Sequence, residues 1–215
     1  KNKKYYNSGT RNASDSELDV STNKMYDRYI KLEINSKVTI SKIILSNDEN
    51  DYIEFSFSIF MLVSRPINRK IYILYNDKMK LSCNFYEKQD NNIEKLNFEF
   101  VYDNNPPIYF KSDFIPINNV FFHFAFVITA AKNMYVYING RMLEEGRRLN
   151  RLHETIKLDM SMNNIQVCKD FLGYIKNIQI YNYALSLQQI QTLSQEENTK
   201  IEDIITRNTS NIAFS

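Results

Sequence analysis

The side chains best suited to chemistry in this chain are four arginines within eleven residues, Arg141, Arg147, Arg148 and Arg151. A guanidinium is a planar fork of donors that grips sulfate and carboxylate groups in pairs, so the cluster suits recognition of an anion. Lys132 precedes it and His153 follows, while Glu144, Glu145 and Glu154 fall in the same stretch and offset part of the charge. The plain alternative is a solvated loop with local ion pairs, each of little energetic weight.

Catalysis finds little support. Glycoside hydrolysis needs two carboxylates facing one bond, one to protonate the leaving oxygen and one to attack or activate water. Glu-x-Asp-x-Glu does not occur, and the one Glu-x-Asp-x-x-Glu, Glu49 to Glu54, begins in a polar loop ahead of the strand expected from Tyr52. Glu17 and Asp19 alternate but lie in a polar segment, and Glu94 and Glu99, five apart in a strand-like run, fall on opposite faces. His123 stands in a phenylalanine-rich strand, where a packed imidazole is the ordinary reading. Nucleophile-elbow, P-loop and dinucleotide motifs are absent. The expectation is a non-enzyme.

For metals, His153 has no second His or Cys nearby, which leaves zinc without a site. Asn47-Asp48-Glu49-Asn50-Asp51 is the densest group of hard oxygens. Calcium takes six to eight such ligands, yet the spacing and glycine of an EF-hand are missing. The reading is no cofactor, with calcium at this loop as the one alternative. Cys83 and Cys168 both sit among apolar or aromatic neighbours. They are read as buried thiols, a long-range disulfide being the other option that geometry must decide.

The elements that must position these residues are strands. Phe122, Phe124, Phe126 and Ile128 alternate with His123, Ala125, Val127 and Thr129, the period-two pattern of a strand inside a sandwich. Met134 to Ile138 then leads into Asn139-Gly140, the pair that supplies two positive-φ positions to a tight hairpin. Gly173 interrupts a β-rich run from Phe171 to Tyr183, which marks a place where another backbone or ring comes close. Ser186 with Gln189 three residues on reads as a capping box opening a short helix. Upstream, strands are expected at Tyr29 to Ile34, Lys37 to Leu45, Tyr52 to Val63, Ile71 to Tyr75, Lys80 to Glu87 and Ile93 to Tyr102. Asp77-Lys78 and Gln89 to Asn92 are expected turns, and the prolines of Asp103 to Pro107 stiffen another.

This order of features resembles the concanavalin A-like, laminin-G-like jelly roll. In that family the second half runs aromatic-x-His-x-Ala, Tyr-x-Asn-Gly, Phe-x-Gly-x-Ile and Tyr-Asn-x-Ala-Leu-Ser. Phe121 to Ala125, Tyr137 to Gly140, Phe171 to Ile175 and Tyr181 to Ser186 match those places. Phe55-Ser-Phe-Ser-Ile-Phe60 is similar to the early core strand, with Phe60 and Phe121 standing where tryptophan is common. The resemblance implies an all-β antiparallel sandwich over residues 24–200 with a short C-terminal helix. Residues 1–23 are then a polar lead-in or linker, and residues 201–215 a closing element or a link to a further domain.

In function, the resemblance implies a non-catalytic binding or adhesion module of a larger secreted or cell-surface protein, recognising a glycan or a protein partner. Adhesive modules such as those of apicomplexan LCCL/lectin adhesive proteins are similar. So is the N-terminal jelly-roll half of a clostridial neurotoxin receptor-binding region, through Tyr137-Ile-Asn-Gly-Arg141 and Ile156-Lys-Leu-Asp159. A structural assembly domain without a small ligand is the alternative from another class.

Composition fits these expectations. A chain of 215 residues is ordinary for a large sandwich, and 14 Phe and 15 Tyr favour strands. Only four glycines serve many turns, so Asn and Asp must take left-handed positions. A net charge of +2 with both signs interspersed gives no field for nucleic acid. No apolar run reaches the length of a membrane span, so no insertion is expected. The start at Lys1 without Met suggests a mature or excised fragment.

Overall fold

The computed structural model of the chain describes residues 5–7, 25–26, 29–33, 38–44, 54–64, 69–85, 96–103, 105–117, 120–143 and 161–195. Within them, period-two sequence becomes fourteen strands in two antiparallel sheets. The first sheet is built from β1 (Tyr5–Asn7), β2 (Met25–Tyr26), β3 (Tyr29–Leu32), β5 (Phe55–Val63), β10 (Phe121–Ile128), β11 (Met134–Ile138), β12 (Arg141–Met142) and β14 (Gly173–Tyr181). Its order is β12-β11-β10-β5-β14-β3-β2, and β1 pairs with the C-terminal part of β14. The second sheet runs β4-β13-β6-β7-β8-β9, made of β4 (Val38–Ile44), β13 (Ser161–Lys169), β6 (Arg69–Tyr75), β7 (Met79–Phe85), β8 (Asn97–Tyr102) and β9 (Ile108–Lys111).

The inward residues of β5 and β10 are the large ones. Phe57, Phe124 and Phe126 are fully buried, with Phe98 stacked 5.2 Å from Phe124 and Phe100 at 5.2 Å from Phe126. Phe98 and Phe100 belong to the second sheet, so these ring pairs hold the two layers together across the interior. Cys83 and Cys168 are both buried and free, and burial raises both thiol pKa values by penalising the thiolate. They behave as small apolar residues.

Left-handed positions go to the residues the composition demands. Asp103, Asn139 and Asp170 take positive φ at turns, and Asn164 and Asn177 do so within β13 and β14, beside Lys132 and Cys168. The irregularity between Lys176 and Gln179 on β14 lets Ile175 and Ile178 both face the interior. At the β6–β7 turn, the Asn76 side-chain oxygen accepts from the Lys78 amide at 3.0 Å and from the Met79 amide. The expected positions at Gln89 to Asn92 and Ile201 to Ser215 lie outside the described residues.

The C-terminal helix, α1, covers residues 187–195. Its cap is the reciprocal box foreseen in the sequence: the Gln189 amide donates to Ser186 Oγ at 3.3 Å, and the Ser186 amide donates to Gln189 Oε1 at 2.9 Å. The helix lies on the outer face of the first sheet, where Ile190 and Leu185 pack with Ala125, Val127, Tyr137 and Tyr181 in a second apolar cluster.

Helix and hairpin lock each other. Asn139 and Gly140 have φ of 49° and 74°, as a two-residue type I′ turn requires, with Ile138 paired to Arg141 across it. The Asn139 amide donates to the His123 carbonyl at 2.9 Å and its Oδ1 accepts from the His123 amide at 2.8 Å, tying the turn to β10. A Cβ on Gly140 would stand 2.7 Å from Ser194 Oγ and 3.3 Å from the Cα of Gln191. Gly140→Val is therefore expected to cost about 1–2 kcal/mol, combining backbone strain with displacement of α1. A thermal melt superimposable on that of the parent would contradict the arrangement.

Candidate functional site

Arg141 opens the short edge strand β12, exposed to solvent, one residue beyond a turn held by β10 and α1. The firmness of that base matters, since loops on a rigid scaffold are where recognition concentrates. Arg147, Arg148, Arg151 and His153 lie outside the described residues, as do Glu144, Glu145, Glu154 and the Asn47–Asp51 oxygen cluster. Among the described residues, no three His, Cys, Asp or Glu side chains gather as a metal site, and no helix is long and apolar enough to cross a membrane.

His123 points to the outer face of the first sheet yet is fully buried. Its Nε2 lies 2.8 Å from Ser58 Oγ, the Phe60 ring is 4.9 Å away, and Nδ1 has no hydrogen-bond partner. Leaving a lone pair unpaired costs less than burying an unpaired N–H, which favours Nε2–H donating to Ser58. Burial penalises the imidazolium and lowers the pKa to about 4. The Lys176 ammonium, 5.2 Å from the Phe60 ring centroid and 5.0 Å from that of Phe121, shares this region. Such a histidine is structural: it pairs two central strands and meets no solvent.

Two further surfaces escaped the sequence reading. Between the end of β14 and α1 lies an open depression of 380 Å³ lined by Tyr181, Tyr183, Leu185, Gln188, Thr192 and others. On the outer face of the second sheet, Tyr72, Tyr75, Tyr109, Lys70, Lys80, Lys111, Lys169 and Glu99 alternate with core residues along four strands and the end of β13. Lys70 Nζ donates to Glu99 Oε2 at 2.6 Å, and Lys169 Nζ sits 4.1 Å from the centre of the Tyr75 ring, itself 5.0 Å from Tyr72. The alternation Lys70-x-Tyr72 and Tyr109-x-Lys111 was present in the sequence. Only the pairing of strands makes one surface of it.

Two antiparallel sheets packed on an aromatic core, with a capped helix closing one outer face, define a lectin-type β-sandwich with the jelly-roll order of a concanavalin A-like domain. The chain belongs to the concanavalin A-like lectin/glucanases superfamily, whose laminin-G model matches residues 35–191. No curated protein sequence matches the chain. Among solved structures it is similar to the botulinum neurotoxin serotype D binding domain, with TM-score 0.58 and 18% identity over 91% of this chain and 47% of that one. Domain 4 of AbnA, a GH43 extracellular arabinanase of Geobacillus stearothermophilus in complex with arabinotriose, is similar at TM-score 0.57 and 15% identity, over 89% and 88% of the two chains. Trypanosoma rangeli sialidase is similar at TM-score 0.56 and 13% identity, over 84% of this chain and 29% of that one. The chain thus spans about half of the neurotoxin domain and under a third of the sialidase. At these identities the likeness is one of fold.

Proposed function

We propose that this domain is a non-catalytic binding module of a secreted or cell-surface protein, and that it recognises an anionic glycan at the rim carrying Arg141, Arg147, Arg148 and Arg151. The observation that carries the reading is the exposed Arg141 on a hairpin clamped by β10 and α1, at the head of the arginine-rich segment. Two features argue against hydrolysis. His123 is sealed and resists protonation, so it has neither access nor a useful pKa. Glu99 is engaged by Lys70 and stands without a second acid in its cross-strand row. Binding domains among the similar structures lend the module reading further support.

The test is heparin affinity of the whole chain at low salt. Binding is expected to fall steeply as salt rises, since exposed charges are screened within about 8 Å at physiological ionic strength. Replacing Arg147, Arg148 and Arg151 together with Ser is expected to lower that affinity by about tenfold or more with the melting temperature unchanged. Undiminished affinity in that variant, or no binding by the parent, overturns the reading in favour of a protein partner. An exposed apolar stretch favours that second reading: Ile115, Ile117 and Val120 are 50%, 68% and 46% exposed.

A further inference from the structure

The second sheet carries a row of outward side chains whose alignment is fixed by register across five strands. Lys169 on β13 stands opposite Tyr72 on β6, Tyr72 opposite Ser82 on β7, Ser82 opposite Glu99 on β8, and Glu99 opposite Tyr109 on β9. With adjacent strands about 4.8 Å apart, the row is about 19 Å long and its two tyrosines about 14 Å apart. Between them Ser82 is small and buried, its hydroxyl donating to the Glu99 carbonyl at 3.4 Å.

The two outer faces of the sandwich differ sharply. On the first sheet Ser56, Ser58, Phe60, His123 and Lys176 are all buried. On the second, Tyr72, Tyr75, Lys80, Glu99 and Lys169 are half-exposed, and Lys70, Tyr109 and Lys111 are exposed. Its charge is lopsided. Glu99 is taken by Lys70, while Lys80, Lys111 and Lys169 have no acidic partner among the described residues. Tyr109, 61% exposed, is the one large exposed ring of the row, and polar residues separate it from Tyr72. A protein interface core wants contiguous apolar area, which this face does not offer. Separated flat rings with polar groups between them suit a sugar chain instead. The C–H face of a pyranose packs on an aromatic ring, and its hydroxyls reach the amides and carboxylate alongside.

We propose that this face is a second binding surface, distinct from the arginine rim, for an acidic oligosaccharide laid across the strands. Its sugar rings stack on Tyr72 and Tyr109, and uronic-acid carboxylates meet the ammonium groups of Lys80, Lys111 and Lys169. Lysine serves here as a mobile point charge, which tolerates carboxylates spaced along a polymer.

The probe is a size-defined hyaluronan oligosaccharide, titrated calorimetrically into the whole chain beside a chitin oligosaccharide of equal length, which lacks the carboxylates. Hyaluronan is expected to bind and the neutral chain to bind more weakly. Tyr109→Ala and Lys111→Glu, both at exposed positions, are expected to weaken hyaluronan binding by about fivefold to tenfold each without changing the melt. The Arg147, Arg148, Arg151 to Ser variant is expected to keep its hyaluronan affinity while its heparin affinity falls, which separates the two surfaces. Absence of hyaluronan binding overturns the proposal, as does equal affinity for the neutral chain. Loss of hyaluronan in the arginine variant with full binding in Tyr109→Ala also overturns it and leaves the rim as the sole site.

Discussion

Gly173→Ala is expected to destabilise the domain by about 3 kcal/mol or more, among the largest effects of any single methyl added here. A Cβ at Gly173 would overlap the Leu62 carbonyl oxygen and lie 3.0 Å from two carbons of the Phe171 ring. The first is main chain of β5, the central strand that pairs with β14 from Gly173↔Val63 to Tyr181↔Ser56. Backbone in a paired strand cannot swing aside as a side chain does, so relief requires β5 and β14 to part at that end. Gly140 makes a useful contrast, since its nearest neighbour is the hydroxyl of Ser194. Urea unfolding followed by tyrosine fluorescence measures the difference. An unchanged midpoint would show that the strands are not in this contact.

The second large effect is on pH dependence. His123 has a folded pKa of about 4 against an ordinary value of 6.5, through burial. In the unfolded chain the imidazole gains its proton near pH 6.5, whereas the native protein refuses it until about pH 4. Between those values the unfolded state binds more protons, so stability rises with pH and is lost as the pH falls from 6.5 towards 4. The full contribution is about 3 kcal/mol. Replacing His123 by Gln keeps a polar group near Ser58 and removes the titration. Its stability is expected to depend less on pH across this window, whatever its absolute value. Parallel pH profiles for parent and variant would contradict the burial of the ring.

Much of the sandwich was legible because its chemistry is local. The Asn139-Gly140 turn, the Ser186/Gln189 box, the close approach at Gly173 and the apolar burial of Phe122, Phe124 and Phe126 each follow from a few adjacent residues. Strands without that local mark were missed or seen only in part. β9 is four residues behind a proline-bearing turn, and β13 opens on the polar Ser161-Met-Asn-Asn164, so that only its half from Ile165, around Cys168, reads as strand-like. Tyr5–Asn7, in the stretch read as a polar lead-in, pairs with Gln179–Tyr181 on a backbone basis that no side-chain pattern announces. The tyrosine and lysine row was invisible for a deeper reason. It joins residues from 72 to 169 by register, and register is a property of pairing. The arginine rim shows the converse, a group evident as composition for which only Arg141 has a described position.

The placement of β5 between β10 and β14 has a consequence for how this chain comes into being. Its partners lie 67 and 125 residues further along in the pairs Ser58↔Ala125 and Ser56↔Tyr181. On a ribosome, the run Phe-Ser-Phe-Ser-Ile-Phe emerges long before either neighbour has been made. Closure of such distant loops is slow, in the millisecond-to-second range typical of β-sandwiches, and during synthesis it waits on translation itself. For that interval a strongly apolar strand offers two bare edges to any other nascent chain. The feature that makes the finished sandwich firm therefore leaves β5 unpaired until the last of its partners arrives.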